Sequence, residues 1–124
     1  MYKLPKLVLE AWENRKGPIV FSTVSQKNIP NSIYATCVNL YGDEIILVAD
    51  NYFSKTRKNI SKGCKGSILF ITEDDKAYQV KGSIQYHIRG EYFENMKKWN
   101  PEKLPGHAVA IINIEEAWYG ATKL

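Results

Sequence analysis

The sequence predicts a mainly β fold, a small six-stranded antiparallel barrel with short helices at three of its connections. Three observations lead there. Six apolar, mostly β-branched segments are separated by short stretches of turn-forming residues. The turn at Tyr41-Gly42-Asp43 has the length and composition of a hairpin, which makes its neighbours antiparallel. The 124 residues, 44% hydrophobic and 24% charged, suit one soluble domain over positions 1–124 with one core.

The elements follow in order. Leu4, Leu7, Val8, Ala11 and Trp12 recur at helical spacing, and Gly17-Pro18 ends the pattern, so an amphipathic helix opens the chain. Ile19 to Val24 reads as the first strand and Asn31 to Leu40 as the second, joined by the polar turn Gln26-Lys27-Asn28. Glu44 to Ala49 is the third strand. Asp50-Asn51-Tyr52-Phe53 breaks the pattern, and Ser54 to Ser61 forms a two-turn helix with Ser54 as N-cap and Gly63 as stop. Gly66 to Thr72 and Ala77 to Ile88 are strands four and five. A helix from Glu91 to Trp99 ends at Pro101, and Ala108 to Ile114 is strand six, followed by Trp118-Tyr119 and a short tail.

Composition excludes several classes. No apolar stretch is long enough to cross a bilayer as a helix, and the first residues lack the apolar core of a secretory signal, so cytoplasm is the expected compartment. Cys37 and Cys64 fit that compartment as free thiols. They share no metal-ligand spacing with each other or with His87 and His107, so no metal site is expected. The two histidines read as surface groups, and Glu115-Glu116 as a solvated turn. No Ser-His-Asp, Cys-His or paired-carboxylate arrangement stands out.

The formal net charge of +4 is modest, but Lys55, Arg57, Lys58, Lys62 and Lys65 crowd into one stretch. That stretch starts where a strand ends and a helix begins, a place that suits an anion. Lys55 adds a full charge there, the hydroxyls of Ser54 and Thr56 can donate, and Asn59 lies one helical turn further on the same side. Chemically this is a phosphate cradle. A capped, solvated basic helix without a ligand fits the same residues equally well.

The order of elements, with Ser54-Lys55-Thr56-Arg57-Lys58-Asn59-Ile60 followed by Gly66-Ser67-Ile68-Leu69-Phe70 and by Gln79-Val80-Lys81-Gly82, resembles the FMN-binding split barrels related to pyridoxamine 5′-phosphate oxidase. The likeness spans nearly the whole chain and is nearest to the short bacterial FMN-binding proteins. It implies a homodimer with non-covalent FMN in a groove between subunits, acting as an oxidoreductase or electron carrier on a small redox substrate or an electron-transfer partner. It further implies that Lys55, Thr56 and Asn59 hold the phosphate, Arg57 assisting. Tyr34, Ala35 and Thr36 would lie along the flavin ring, with Val48, Ala49 and Asp50 beside them. Gln79 would bond the ring, and Trp118, Tyr119 and Leu124 of the other subunit would cover it.

Two departures from the family qualify this. The second and third strands lack the arginines that full-length oxidases place near the phosphate, which shifts that charge onto Lys55. The chain also lacks the longer C-terminal portion with the oxidase's substrate-binding Arg and His, so oxidation of pyridoxamine phosphate itself is not expected. A deazaflavin or haem in the same groove is the alternative within the family. Outside it, a single-stranded nucleic-acid barrel using the basic run with Tyr34, Tyr52 and Phe53 ranks behind.

Overall fold

A computed structural model describes residues 2–124. Helix α1 (Lys6–Glu13) leads into strands β1 (Arg15–Val24), β2 (Pro30–Ala35), β3 (Val38–Tyr41) and β4 (Ile45–Asp50). Helix α2 (Lys55–Ser61) then precedes β5 (Lys65–Thr72) and β6 (Ala77–His87), and α3 (Glu91–Trp99) precedes β7 (Ala108–Tyr119) and β8 (Thr122–Lys123). The strands join one antiparallel sheet in the order β2-β1-β5-β6-β7-β4-β3, with β8 paired to β7. No helix among the described residues is long and apolar enough to cross a membrane.

The mainly β, antiparallel architecture matches the expectation, but the described residues form eight strands where six were expected. The run from Asn31 to Leu40 is two strands. Up to Ala35 it pairs with β1, and from Val38 it pairs with β4, so Thr36-Cys37 carries the chain between the two edges of the sheet. Side-chain character is strand-like throughout that run, and only the change of partner divides it. At the other end β7 continues past Ile114 to Tyr119 and turns into β8. Glu115 and Glu116 therefore lie within a strand, not in a turn.

Alternation within strands sorts the residues onto two faces. Phe21, Ile68, Val80 and Ala117 stand in register across four strands and are fully buried. They join Trp12 and Val8 from α1, and the Trp12 ring meets Phe70 edge-on at 5.2 Å. Burying each of these larger side chains contributes roughly 1.5–3 kcal/mol. A second cluster, Leu47, Ala49, Val109 and Ile111, lies on the opposite face of β4 and β7, where Met96 of α3 covers it. Among the described residues, no helix of either cluster covers the remaining outer face, over β1, β5 and β6. That face leaves Leu69 and Ile71 about two-fifths exposed.

Candidate functional site

Strand β4 ends in a fully buried carboxylate. Asp50 accepts hydrogen bonds from the Phe53 backbone N–H at 2.9 Å, from Arg57 Nε at 2.8 Å and Nη2 at 3.1 Å, and from the Tyr86 hydroxyl. Burial alone would raise its pKa, but the bonds from Arg57, Tyr86 and Phe53, together with the Arg57 charge, outweigh burial and hold it below the ordinary value. The same contacts push the Arg57 guanidinium further up. Burial, then the bond to Asp50, pushes the Tyr86 phenol up to about 12.

Asp50 thus grips both flanks of the turn that starts α2: Phe53 lies before it and Arg57 within the first helical turn. Inside the helix, Thr56 and Asn59 are buried. Asn31 Nδ2 donates to Thr56 Oγ1 at 3.1 Å, and Asn59 Nδ2 donates to Thr23 Oγ1 at 3.0 Å, tying α2 to β2 and β1. Ser54 occupies the N-cap position without a side-chain capping bond. Lys55 is exposed and makes no ion pair among the described residues.

Two clefts follow one another along β2. The first, of about 510 Å³, is basic: Lys55, Lys58, Lys62 and Asn59 form one wall, and Lys27, Pro30 and Asn31 line the other. The second, of about 370 Å³, is lined by Tyr34, Ala35, Thr36, Cys37 and Ala49, by Asn51 to Phe53, and by Leu104. Its Leu104 arrives on the loop after α3. Asn51 and Asn100 hold that loop by exchanging amide hydrogen bonds at 2.9 and 3.0 Å, and Asn51 Oδ1 also accepts the Gly106 N–H.

The expected site residues therefore divide. Tyr34, Ala35, Thr36 and Ala49 share the second cleft, and Lys55 and Asn59 the first. Val48 and Asp50 face the interior, because three consecutive strand residues cannot present their side chains to one ligand. Thr56 is turned toward Asn31, and Arg57 is engaged by Asp50.

Gln79 and Trp118 stand elsewhere on the sheet. Tyr34, Val20, Leu69, Gln79 and Trp118 form one cross-strand row on the outer face. Gln79 is three strands from Tyr34, roughly 14 Å at the usual strand spacing. Tyr119 falls in the alternate row and stacks on Tyr78 at 5.0 Å, while Trp118 donates to Glu116 and lies under Lys81. Phe53, offered above as a stacking platform, is buried against Phe21.

Tyr86, Asn51, Asn100, Leu104 and Lys27 were not singled out from the sequence. Asp50 and Tyr86 are 36 residues apart, so no local spacing could have joined them. For Asn51 the signal was present: a polar residue just past an apolar strand commonly orders the following loop.

Known proteins share this architecture. A family model described as pyridoxamine 5′-phosphate oxidase matches residues 8–120. An uncharacterized protein of Methanocaldococcus jannaschii is 34% identical over 120 residues, covering 91% of this chain and 80% of that protein. The crystal structure of HupZ from Group A Streptococcus superposes with a TM-score of 0.80 at 25% identity, over 94% of this chain and 93% of that one. An FMN-binding protein from Syntrophomonas wolfei shares the fold with a TM-score of 0.72 at 21% identity, over 90% and 89% of the two chains. The curled antiparallel sheet is thus a split barrel, and the chain belongs to the pyridoxamine 5′-phosphate oxidase family.

Proposed function

We propose that this chain is a cytoplasmic flavoprotein whose whole length forms one domain, binding FMN without a covalent link between two copies of itself and serving as an oxidoreductase or electron carrier. The observation that carries the reading is the succession of clefts along β2, an aromatic one beside Tyr34, Tyr52 and Ala49 and a basic one at Lys55. Their chemistry suits a flat ring at one end and a phosphate at the other. The FMN-binding name of the Syntrophomonas wolfei relative supports it.

Bound there, FMN would supply the redox chemistry. The chain's own residues bind and orient. Lys55 neutralises phosphate charge, Asn59 and Asn31 offer polar groups beside it, and the Asp50 clamp fixes the turn from which Lys55 projects. Because Asp50 already holds Arg57, the phosphate depends on Lys55 more than the basic run suggests.

Lys55→Ala is therefore expected to weaken FMN about tenfold, roughly 1.4 kcal/mol, while riboflavin, which lacks the phosphate, changes little. Flavin fluorescence titration of both ligands reads this directly. Equal losses for the two would show that Lys55 does not meet the phosphate.

A second copy accounts for the outer row. Leu69 is 40% exposed and Ile71 38% on the face that holds Gln79 and Trp118, and apolar area of this kind on a free monomer suits an interface. Two-fold pairing of such a face would carry Gln79 and Trp118 of one copy toward the ring cleft of the other. Leu69→Lys should then convert a dimer to a monomer in light scattering and lower FMN affinity by about tenfold or more. A monomeric wild type with full FMN affinity would refute the shared site.

A further inference from the structure

Lys55 is one of four lysines on the basic cleft. Lys55, Lys58 and Lys62 are spaced by three and four residues along α2 and its C-cap, which places them in one stripe, and Lys27 faces them from the β1–β2 turn. None of the four forms an ion pair among the described residues, which is true also of Lys3, Lys97, Lys98 and Lys103, but these four line one cleft together. Like charges at these spacings disfavour a helix, and α2 has no acidic residue in its first turn to offset them. The stripe runs about 10 Å from Lys55 to Lys62, farther than one phosphate can reach. A single anion at Lys55 leaves Lys58, Lys62 and Lys27 facing a cleft of about 510 Å³ without a counter-charge.

We propose that this cleft takes a second phosphoryl group beyond the one at Lys55, held by Lys58 and Lys62 with Lys27 opposite. The inference deepens the flavin reading and rests on it for the first anion only. The second group arrives in one of two ways: on the flavin itself, as a diphosphate, or on a separate phosphorylated redox partner. Recognition chemistry at Lys58 and Lys62 is the same in both.

The test titrates inorganic pyrophosphate into FMN-loaded protein by calorimetry, and titrates FMN and FAD separately into apo protein. Wild type is compared with the double variant Lys58→Gln, Lys62→Gln, whose exposed positions leave folding intact by circular dichroism. With two separate molecules, pyrophosphate binds the loaded wild type and weakens about tenfold or more in the double variant, while FMN affinity shifts less than about twofold. With one molecule, FAD binds about tenfold tighter than FMN and the double variant erases that preference. Equal FMN and FAD affinities, with pyrophosphate binding that is absent or that the double variant retains, would overturn the proposal. If wild type binds neither flavin but apo protein binds pyrophosphate through Lys58 and Lys62, the flavin reading falls and the second anion site stands.

Discussion

Asp50→Ala is expected to destabilise the protein by about 3 kcal/mol, near the low end of what breaking a buried ion pair costs. The carboxylate is fully buried and receives four hydrogen bonds from three residues. Removing it leaves the Phe53 N–H without its acceptor in the interior, and the half-buried Tyr86 hydroxyl loses its acceptor as well. Arg57 softens the loss, because its side chain is 43% exposed and can turn to water. Chemical denaturation should show a lower midpoint with an unchanged slope. Wild-type stability would show that the clamp contributes nothing.

The same triad predicts how stability depends on pH. The Asp50 pKa is depressed in the fold, so its contribution is fully present above the ordinary aspartate value and is lost as pH falls through the folded value. Asp50→Asn should flatten the acid limb of the stability profile below about pH 4. Tyr86 shifts the other way. Its raised pKa gives stability that is complete below the ordinary value of 10.0 and is lost as pH rises through about 12. Tyr86→Phe should flatten that alkaline limb and leave the acid limb in place. Unfolding midpoints measured across both windows separate the two groups.

What the sequence disclosed and what it hid follow one physical line. Helix α3 was legible to the residue, from Glu91 to Trp99, because Pro101 stops it. Strand β4 was legible because an unbroken apolar run beside a Gly turn has few alternatives. The break at Thr36-Cys37 was hidden, since β propensity is local and a change of strand partner is not. The basic run looked uniform, yet one of its members is spent on Asp50. The buried carboxylate of Asp50 distinguishes Arg57, which it holds, from Lys55, which it does not, and Tyr86 of β6 joins that carboxylate from 36 residues away. The alternation of Val48, Ala49 and Asp50 was available in advance, and a period of two already forbids all three from facing one ligand.

Gly82→Ala should be at least as damaging as the loss of Asp50, and for a steric reason. Strands β6 and β7 form a long ladder whose register shifts between Lys81 and Gly82, where β7 passes from Glu116 to Ile114. At that bulge the β7 backbone comes so close that a Cβ on Gly82 would stand 1.9 Å from the Asn113 carbonyl oxygen and 2.7 Å from its carbon. These are backbone atoms, so no rotamer change relieves the clash and the ladder itself must yield. Gly66, its neighbour in register on β5, is a weaker case, because its nearest contact is the flexible end of Ile84 at 2.6 Å, although the Ser22 carbonyl lies at 2.8 Å. Gly82→Ala is expected to cost about 3 kcal/mol or more, and Gly66→Ala less. The bulge also fixes the register that pairs Gln79 with Trp118, and losing it would slip β7 by one residue and exchange the faces of everything beyond it on that strand. A Gly82→Ala protein that survives by such a slip should therefore lose FMN affinity out of proportion to its stability. Matched melting temperatures and FMN affinities for Gly82→Ala and Gly66→Ala decide this, and a Gly82→Ala protein as stable as wild type would show that β7 can withdraw from the contact.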